Sequence, residues 1–204
     1  MSFNKRGGDG MANIEKAFLE AGRCLEAFLA DTEQFPRVRL FADKLTATFR
    51  AGGKALSCGN GGSMSDAMHF AEEWSGRYRS ERRPLPAIAF SDPGHMSCVA
   101  NDYGYAEVLA RQVEALGKKG DLLLMLSTSG NSPNLLRAAE EARKRGICTV
   151  GLLGKSGGKL LPLCDIPIIV PGETSDRIQE MHIKIIHIVI ETVERELFPA
   201  LYEE

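Results

Sequence analysis

The feature that most narrows the fold of this chain is an alternation. Short apolar runs at 55–58, 87–90, 121–126, 149–153 and 166–170 are separated by stretches of helical spacing at about 65–78, 105–116 and 133–144. Strands that read as nearly unbroken apolar runs are buried on both faces. Strand–helix–strand units of this length connect right-handedly into a parallel sheet with helices on its faces. The spacing therefore predicts an α/β fold with a mostly parallel sheet and five candidate strands. Two helical patterns come first. One, at about 11–29, carries Ile14, Phe18, Ala21, Leu25 and Phe28; the other follows Pro36, carries Val38, Leu40, Phe41, Leu45 and Phe49, and is stopped by Gly52-Gly53. A last long helix spans about 175–197. Residues 1–10 are polar and glycine-rich and read as a flexible tail. With no repeat and no low-complexity linker, 11–204 reads as a single domain that includes the two N-terminal helices and the long C-terminal one.

Composition sets limits on partners. Of 204 residues, 44% are hydrophobic and 25% charged, and the net charge is -2. Such a balance offers no general attraction to nucleic acid or to an anionic membrane, and the apolar runs fall far short of the ~20 residues of a membrane span. Any bound anion must be held locally, by backbone and a few side chains. The five cysteines are odd in number, widely spaced and form no CxxC pair. Cys58, Cys98 and Cys148 sit among apolar residues and read as buried small side chains, which points to a reducing compartment. The N-terminus has no continuous apolar segment of the kind a secretory signal needs.

Two polar glycine loops stand where ligands bind in open α/β sheets, beyond the carboxyl ends of strands. The first is Cys58-Gly59-Asn60-Gly61-Gly62-Ser63 and the second is Leu126-Ser127-Thr128-Ser129-Gly130-Asn131-Ser132. Each ends a strand and opens a helix, so free backbone N–H groups and the helix dipole converge on one spot that favours an anion. A glycine-rich strand–helix turn is also common without a ligand. The second loop is more specific, because Ser127, Thr128, Ser129 and Ser132 add hydroxyl donors suited to three phosphate oxygens. Pro133 at the start of the following helix fits the favoured first-turn position. Two look-alikes fail. Gly59-Asn60-Gly61-Gly62 is not a complete GxGxxG, and Gly154-Lys155-Ser156 lacks the first glycine of a P-loop because position 149 is Thr149.

Candidate chemistry lies on helices. His69 and Glu73 are spaced i, i+4, one turn apart on one face, and suit a metal or a shared proton; a plain surface pair has the same spacing. The last helix carries Gln179, His182 and His187 among isoleucines. At ~100° per residue, His187 lies about 80° from Gln179 and His182 about 60° to the other side. At most one histidine can share a site with Gln179, the other being a satisfied structural group, and helix geometry leaves the choice open. Of the arginines at 77–83, Arg77 follows the His69–Glu73 helix closely enough to reach a site, whereas Arg79, Arg82 and Arg83 read as a solvated loop. His95, Asn101 and Asp102 follow the second strand, and Asn101-Asp102 could bind sugar hydroxyls.

Taken together, Ser57-Cys58-Gly59-Asn60-Gly61-Gly62-Ser63, His69-Phe70-Ala71-Glu72-Glu73, Ser127-Thr128-Ser129-Gly130-Asn131-Ser132 and Asp176-Arg177-Ile178-Gln179-Glu180-Met181-His182 resemble the sugar isomerase (SIS) domain family, in its bacterial phosphoheptose isomerase branch. The resemblance runs from about 14 to 198. It implies a flavodoxin-like, doubly wound sheet of five parallel strands, a cytoplasmic homotetramer with sites between subunits, and one zinc per subunit. The implied activity is aldose–ketose isomerisation of sedoheptulose 7-phosphate to D-glycero-D-manno-heptose 7-phosphate through an enediol. That is the first step towards ADP-heptose and the heptoses of lipopolysaccharide. By the same resemblance, His69, Glu73, Gln179 and His187 are zinc ligands, and Glu73 and His187 the catalytic pair. Asn60, Gly61, Gly62, Ser63, Glu73, Arg77, Asn101, Asp102, Ser127, Thr128, Ser129, Ser132, Asp176 and Gln179 are substrate contacts. Some SIS relatives are instead non-catalytic adaptors of the bacterial replication initiator. A binding module of that kind needs neither Glu73 nor His187.

Overall fold

A computed structural model describes residues 7–203. The chain opens with two helices, α1 (Gly7–Ala30) and α2 (Gln34–Arg50). Strands and helices then alternate: β1 (Ala55–Cys58), α3 (Gly62–Ser75), β2 (Ala87–Ala89), α4 (Pro93–Tyr103), α5 (Val108–Leu116), β3 (Leu122–Ser127), α6 (Pro133–Lys144), β4 (Cys148–Gly154), β5 (Ile166–Val170) and α7 (Ser175–Leu197). All strand pairs are parallel, in the order β2-β1-β3-β4-β5. This is the flavodoxin-like doubly wound order, whose direction of winding reverses between β1 and β3. Cys58 pairs with Met125 there, so the two glycine loops leave neighbouring strands side by side.

Side-chain alternation along the strands builds two cores. Leu122, Leu124 and Leu126 of β3 face α1, α2, α3 and α7, and pack with Phe41, Phe70, Trp74, Ile178 and Ile185. Leu123 and Met125 face the other way, against Leu109, Val113, Leu135 and Ala138 of α5 and α6. The edge strand β2 is the most open, with Ile88 exposed, and the opposite edge strand β5 is half-buried on one face. Among the described residues no helix is long and apolar enough to cross a membrane.

Several expectations need adjustment. Residues 1–6 of the expected tail lie outside the described residues, and 7–10 form the first turn of α1. After β2 the chain enters a helix, α4, that the spacing did not predict. Asp92 caps α4, its carboxylate accepting from the His95 N–H at 2.6 Å, with Pro93 in the first turn. Cys98 is exposed on that helix rather than buried, and Cys148 is only half-buried. Arg82 is not part of a solvated loop, because its side chain is 1% exposed and paired with Glu194.

Candidate active site

Three helix starts meet above the carboxyl edge of the sheet. Asn60 and Ser63 come from the β1–α3 turn, Ser127, Thr128, Ser129 and Ser132 from the β3–α6 turn, and Ser175 and Gln179 from the start of α7. They line one hollow of about 170 Å³. No lysine or arginine lines it. An anion there is therefore held by N–H groups, hydroxyls and three aligned helix dipoles, as for phosphate at helix N-termini. The loop is pre-shaped. The Gly130 N–H donates to Ser127 Oγ at 3.0 Å, and Gly130 takes φ +64°, a conformation that glycine adopts without strain. Thr128 Oγ1 and Ser175 Oγ lie 3.1 Å apart, and Gln179 Nε2 donates to Ser63 Oγ at 3.3 Å.

Ser175 was not among the expected contacts. The signal for it is the same as for the other two turns: a strand end (β5), a short glycine-containing link and a helix start. Asn134 is a second addition. Buried at the start of α6, it exchanges two hydrogen bonds with Asn60, of 3.0 and 2.8 Å, and so ties the two loops together.

Beside this hollow, α3 and α7 bring His69, Glu73 and His187 together. His69 Nε2 lies 3.1 Å from Glu73 Oε1 and 3.4 Å from His187 Nε2. The donor atoms of all three lie within 4.8 Å of one another. Burial, and then the His69 ring, push the His187 pKa below the ordinary histidine value, which keeps lone pairs available. Two imidazole nitrogens facing each other at this distance cannot both carry a proton between them. Two imidazole nitrogens and a carboxylate oxygen this close together are donors that suit a divalent metal such as zinc. The Tyr78 ring lies 5.9 Å from that of His187. Gln179, two turns earlier on α7, turns its amide to Ser63 and joins the cluster to the serine hollow.

The choice between the histidines of α7 is resolved: His187 is in the cluster and His182 is not. His182 is fully buried, and burial drives its pKa down to about 4. Contrary to the expectation of a satisfied structural histidine, neither ring nitrogen reaches a hydrogen-bond partner; the Leu153 backbone nearby opposes the pKa shift without meeting that geometry. Asn101 and Asp102 lie exposed on α4, hydrogen-bonded to each other at 2.8 Å, and do not line the hollow. Tyr105, just beyond, donates to Asn60 Oδ1 at 3.3 Å. Arg77 is exposed past the end of α3. Asp176 is exposed in the first turn of α7, its pKa held down chiefly by the Thr174 hydroxyl and its carboxylate 3.0 Å from Arg177.

Known proteins resemble this chain in sequence and fold. The model of the SIS domain matches residues 18–154. A phosphoheptose isomerase of Fusobacterium nucleatum is 51% identical over 94% of this chain and 99% of its own length. That of Vibrio cholerae is 52% identical over 90% of this chain and 97% of its own. Among solved structures, a phosphoheptose isomerase from Francisella tularensis superposes with a TM-score of 0.87 at 34% identity, covering 91% of this chain and 98% of that one. With a match across most of its length and with relatives that are half identical over nearly their whole chains, this protein belongs to the SIS domain family, among the phosphoheptose isomerases.

Proposed function

We propose that the chain is an aldose–ketose isomerase that converts sedoheptulose 7-phosphate to D-glycero-D-manno-heptose 7-phosphate, the first step of ADP-heptose and lipopolysaccharide heptose synthesis. The observation that carries this reading is the placing of His69, Glu73 and His187 beside a hydroxyl-lined, cation-free hollow at three helix starts. The hollow suits a phosphate, and the cluster suits proton transfer at the other end of an extended sugar.

Ser127, Thr128, Ser129, Ser132 and Ser63 hold the phosphoryl end and so fix the reacting carbons against α3. Asn60, with the backbone of Gly61 and Gly62, lines the same approach, and Asn101, Asp102, Arg77 and Asp176 meet the sugar hydroxyls at its rim. Glu73 takes the proton from the carbon beside the carbonyl and returns it to the neighbouring carbon. His187 carries the proton between the two oxygens, so that ketose becomes enediol and then aldose with no net gain or loss. Zinc, one per subunit, held by His69, Glu73, Gln179 and His187, would stabilise negative charge developing on the sugar oxygens.

The protein acts as a single SIS domain and as a cytoplasmic homotetramer with its sites between subunits. The five free thiols support the reducing compartment. Exposed Met68 and Ile188, on the two helices that carry the cluster, support a site covered by a second subunit. An adaptor without catalysis has no use for Glu73 beside His187.

The test is Glu73→Gln, which keeps shape and removes the base. Purified, metal-analysed protein is incubated with sedoheptulose 7-phosphate and the aldose product followed. Turnover is expected to fall by roughly 10²–10⁴-fold, with the thermal midpoint unchanged. Full turnover in the variant rules out Glu73 as the base.

A further inference from the structure

Behind the cluster lies a buried charge that the reaction does not use. Arg82 sits between α3 and β2 with its side chain 1% exposed, and its partner Glu194 on α7 is fully buried. All three nitrogens of the guanidinium donate. Nε gives a hydrogen bond to Glu194 Oε1 at 2.8 Å. One terminal nitrogen gives to the carbonyls of Trp74 and Gly76 at 2.8 and 3.0 Å, and the other to the carbonyl of Glu73 itself at 2.5 Å. These carbonyls belong to the end of α3, where a helix leaves acceptors without partners. The second oxygen of Glu194 accepts from the Tyr202 hydroxyl at 2.9 Å.

Glu194 stands seven residues beyond His187, so at ~100° per residue the two lie within about 20° on one face of α7. Arg82 thus grips the main chain of Glu73 with one edge of its fork and the face of α7 that bears His187 with another. A buried ion pair is weak grounds for stability, because desolvation offsets attraction. Its geometric effect is stronger: it sets how far the end of α3 stands from α7.

The geometry points to Arg82 as a positioning residue, whose clamp on the Glu73 carbonyl and on Glu194 sets the separation between the Glu73 carboxylate and His187. The consequence for turnover rests on the isomerase reading above; the separation itself does not.

Two variants test it. Arg82→Met/Glu194→Met removes both charges together and fills the space, so no lone buried charge remains. Arg82→Lys keeps the charge and loses the planar fork. Each is crystallised and assayed with sedoheptulose 7-phosphate beside the wild type. In both, the Glu73–His187 donor separation is expected to open beyond the 4.8 Å within which the three donor atoms of the cluster now lie. The kcat is expected to fall roughly 10- to 100-fold, with KM within about twofold of wild type; the double variant stays folded but loses some resistance to urea, because the α3 carbonyls and the Tyr202 hydroxyl lose their partners. A folded variant of either kind with unchanged separation overturns the proposal. So does one in which the separation opens while kcat stays at the wild-type value. A wild-type protein that does not isomerise the sugar overturns the functional reading instead, and the separation then decides the role of Arg82.

Discussion

His182 and His187 show how differently one residue type behaves five positions apart on a helix. His187 faces α3 and shares its surroundings with His69 and Glu73. His182 faces the core with both nitrogens unpartnered. Its folded-state pKa, about 4, lies below the ordinary 6.5. Between those values the unfolded chain binds a proton that the folded chain refuses, so stability is whole above about pH 6.5 and falls as pH drops towards 4. The slope is roughly 1 kcal/mol per pH unit. Replacing the ring with an apolar side chain of similar size removes an unsatisfied polar group at little cost. His182→Leu is therefore expected to match or exceed wild-type stability at pH 7 and to lose roughly 1–2 kcal/mol less than wild type between pH 6.5 and 5. Urea titrations across that range measure it. The remaining histidines are common to both proteins, so parallel pH curves would mean that burial does not lower the pKa of this ring. Helix periodicity could not choose between these residues. It gives a direction around an axis, whereas the choice depends on which neighbour, α3 or the sheet, occupies that direction. The burial of Arg82 was hidden for a similar reason: its partner Glu194 lies 112 residues away.

The elements were more legible than the residues within them. Strands β1 and β5 fall where the apolar runs placed them, because unbroken apolar segments closed by glycine or proline have few other uses. Helix α4 was missed because Asp92, Pro93 and Gly94 signal both a turn and a helix start. The serine loop was legible in composition but not in its supports. Gly130 approaches the 3-10 turn at Gly158–Leu163 so closely that an added Cβ would lie 1.9 Å from the Gly157 carbonyl oxygen. Leu160 N–H also donates to the Gly130 carbonyl at 2.9 Å. Gly130→Ala must push apart two backbones as well as tolerate φ +64°. It is expected to raise KM for the sugar phosphate by about tenfold or more and to lower the thermal midpoint. Gly120→Ala is the control. That glycine has φ +93° but nothing within 4 Å of the added methyl. Backbone strain of roughly 1 kcal/mol should appear as lost stability alone, with KM unchanged. Equal KM values for the two variants would remove the serine loop from phosphate binding.

At the scale of the whole molecule, α1 is only half accounted for by one chain. Its later part is packed, with Cys24 and Phe28 each 5% exposed, but Met11, Ile14 and Phe18 are 68, 53 and 76% exposed. These three recur at helical spacing on one stripe, the mark of a face made for burial. Met68 and Ile188, beside the His69–Glu73–His187 cluster, are uncovered in the same way. A second copy that covers the stripe of α1 explains why so apolar a helix stands in solvent, and one that covers Met68 and Ile188 would also keep water from Glu73 and His187. Phe18→Glu places a charge on the stripe at its most exposed residue, where desolvation without a partner is costly. Light scattering is expected to give four times 22.3 kDa for the wild type and a smaller mass for the variant. The kcat should fall with the mass, because the cluster loses its cover, while far-ultraviolet circular dichroism stays the same. A variant that remains tetrameric and fully active would show that the subunits meet elsewhere. A monomeric variant with wild-type kcat would show that each chain carries a complete site, so that exposed Met68 and Ile188 would need another explanation than catalysis.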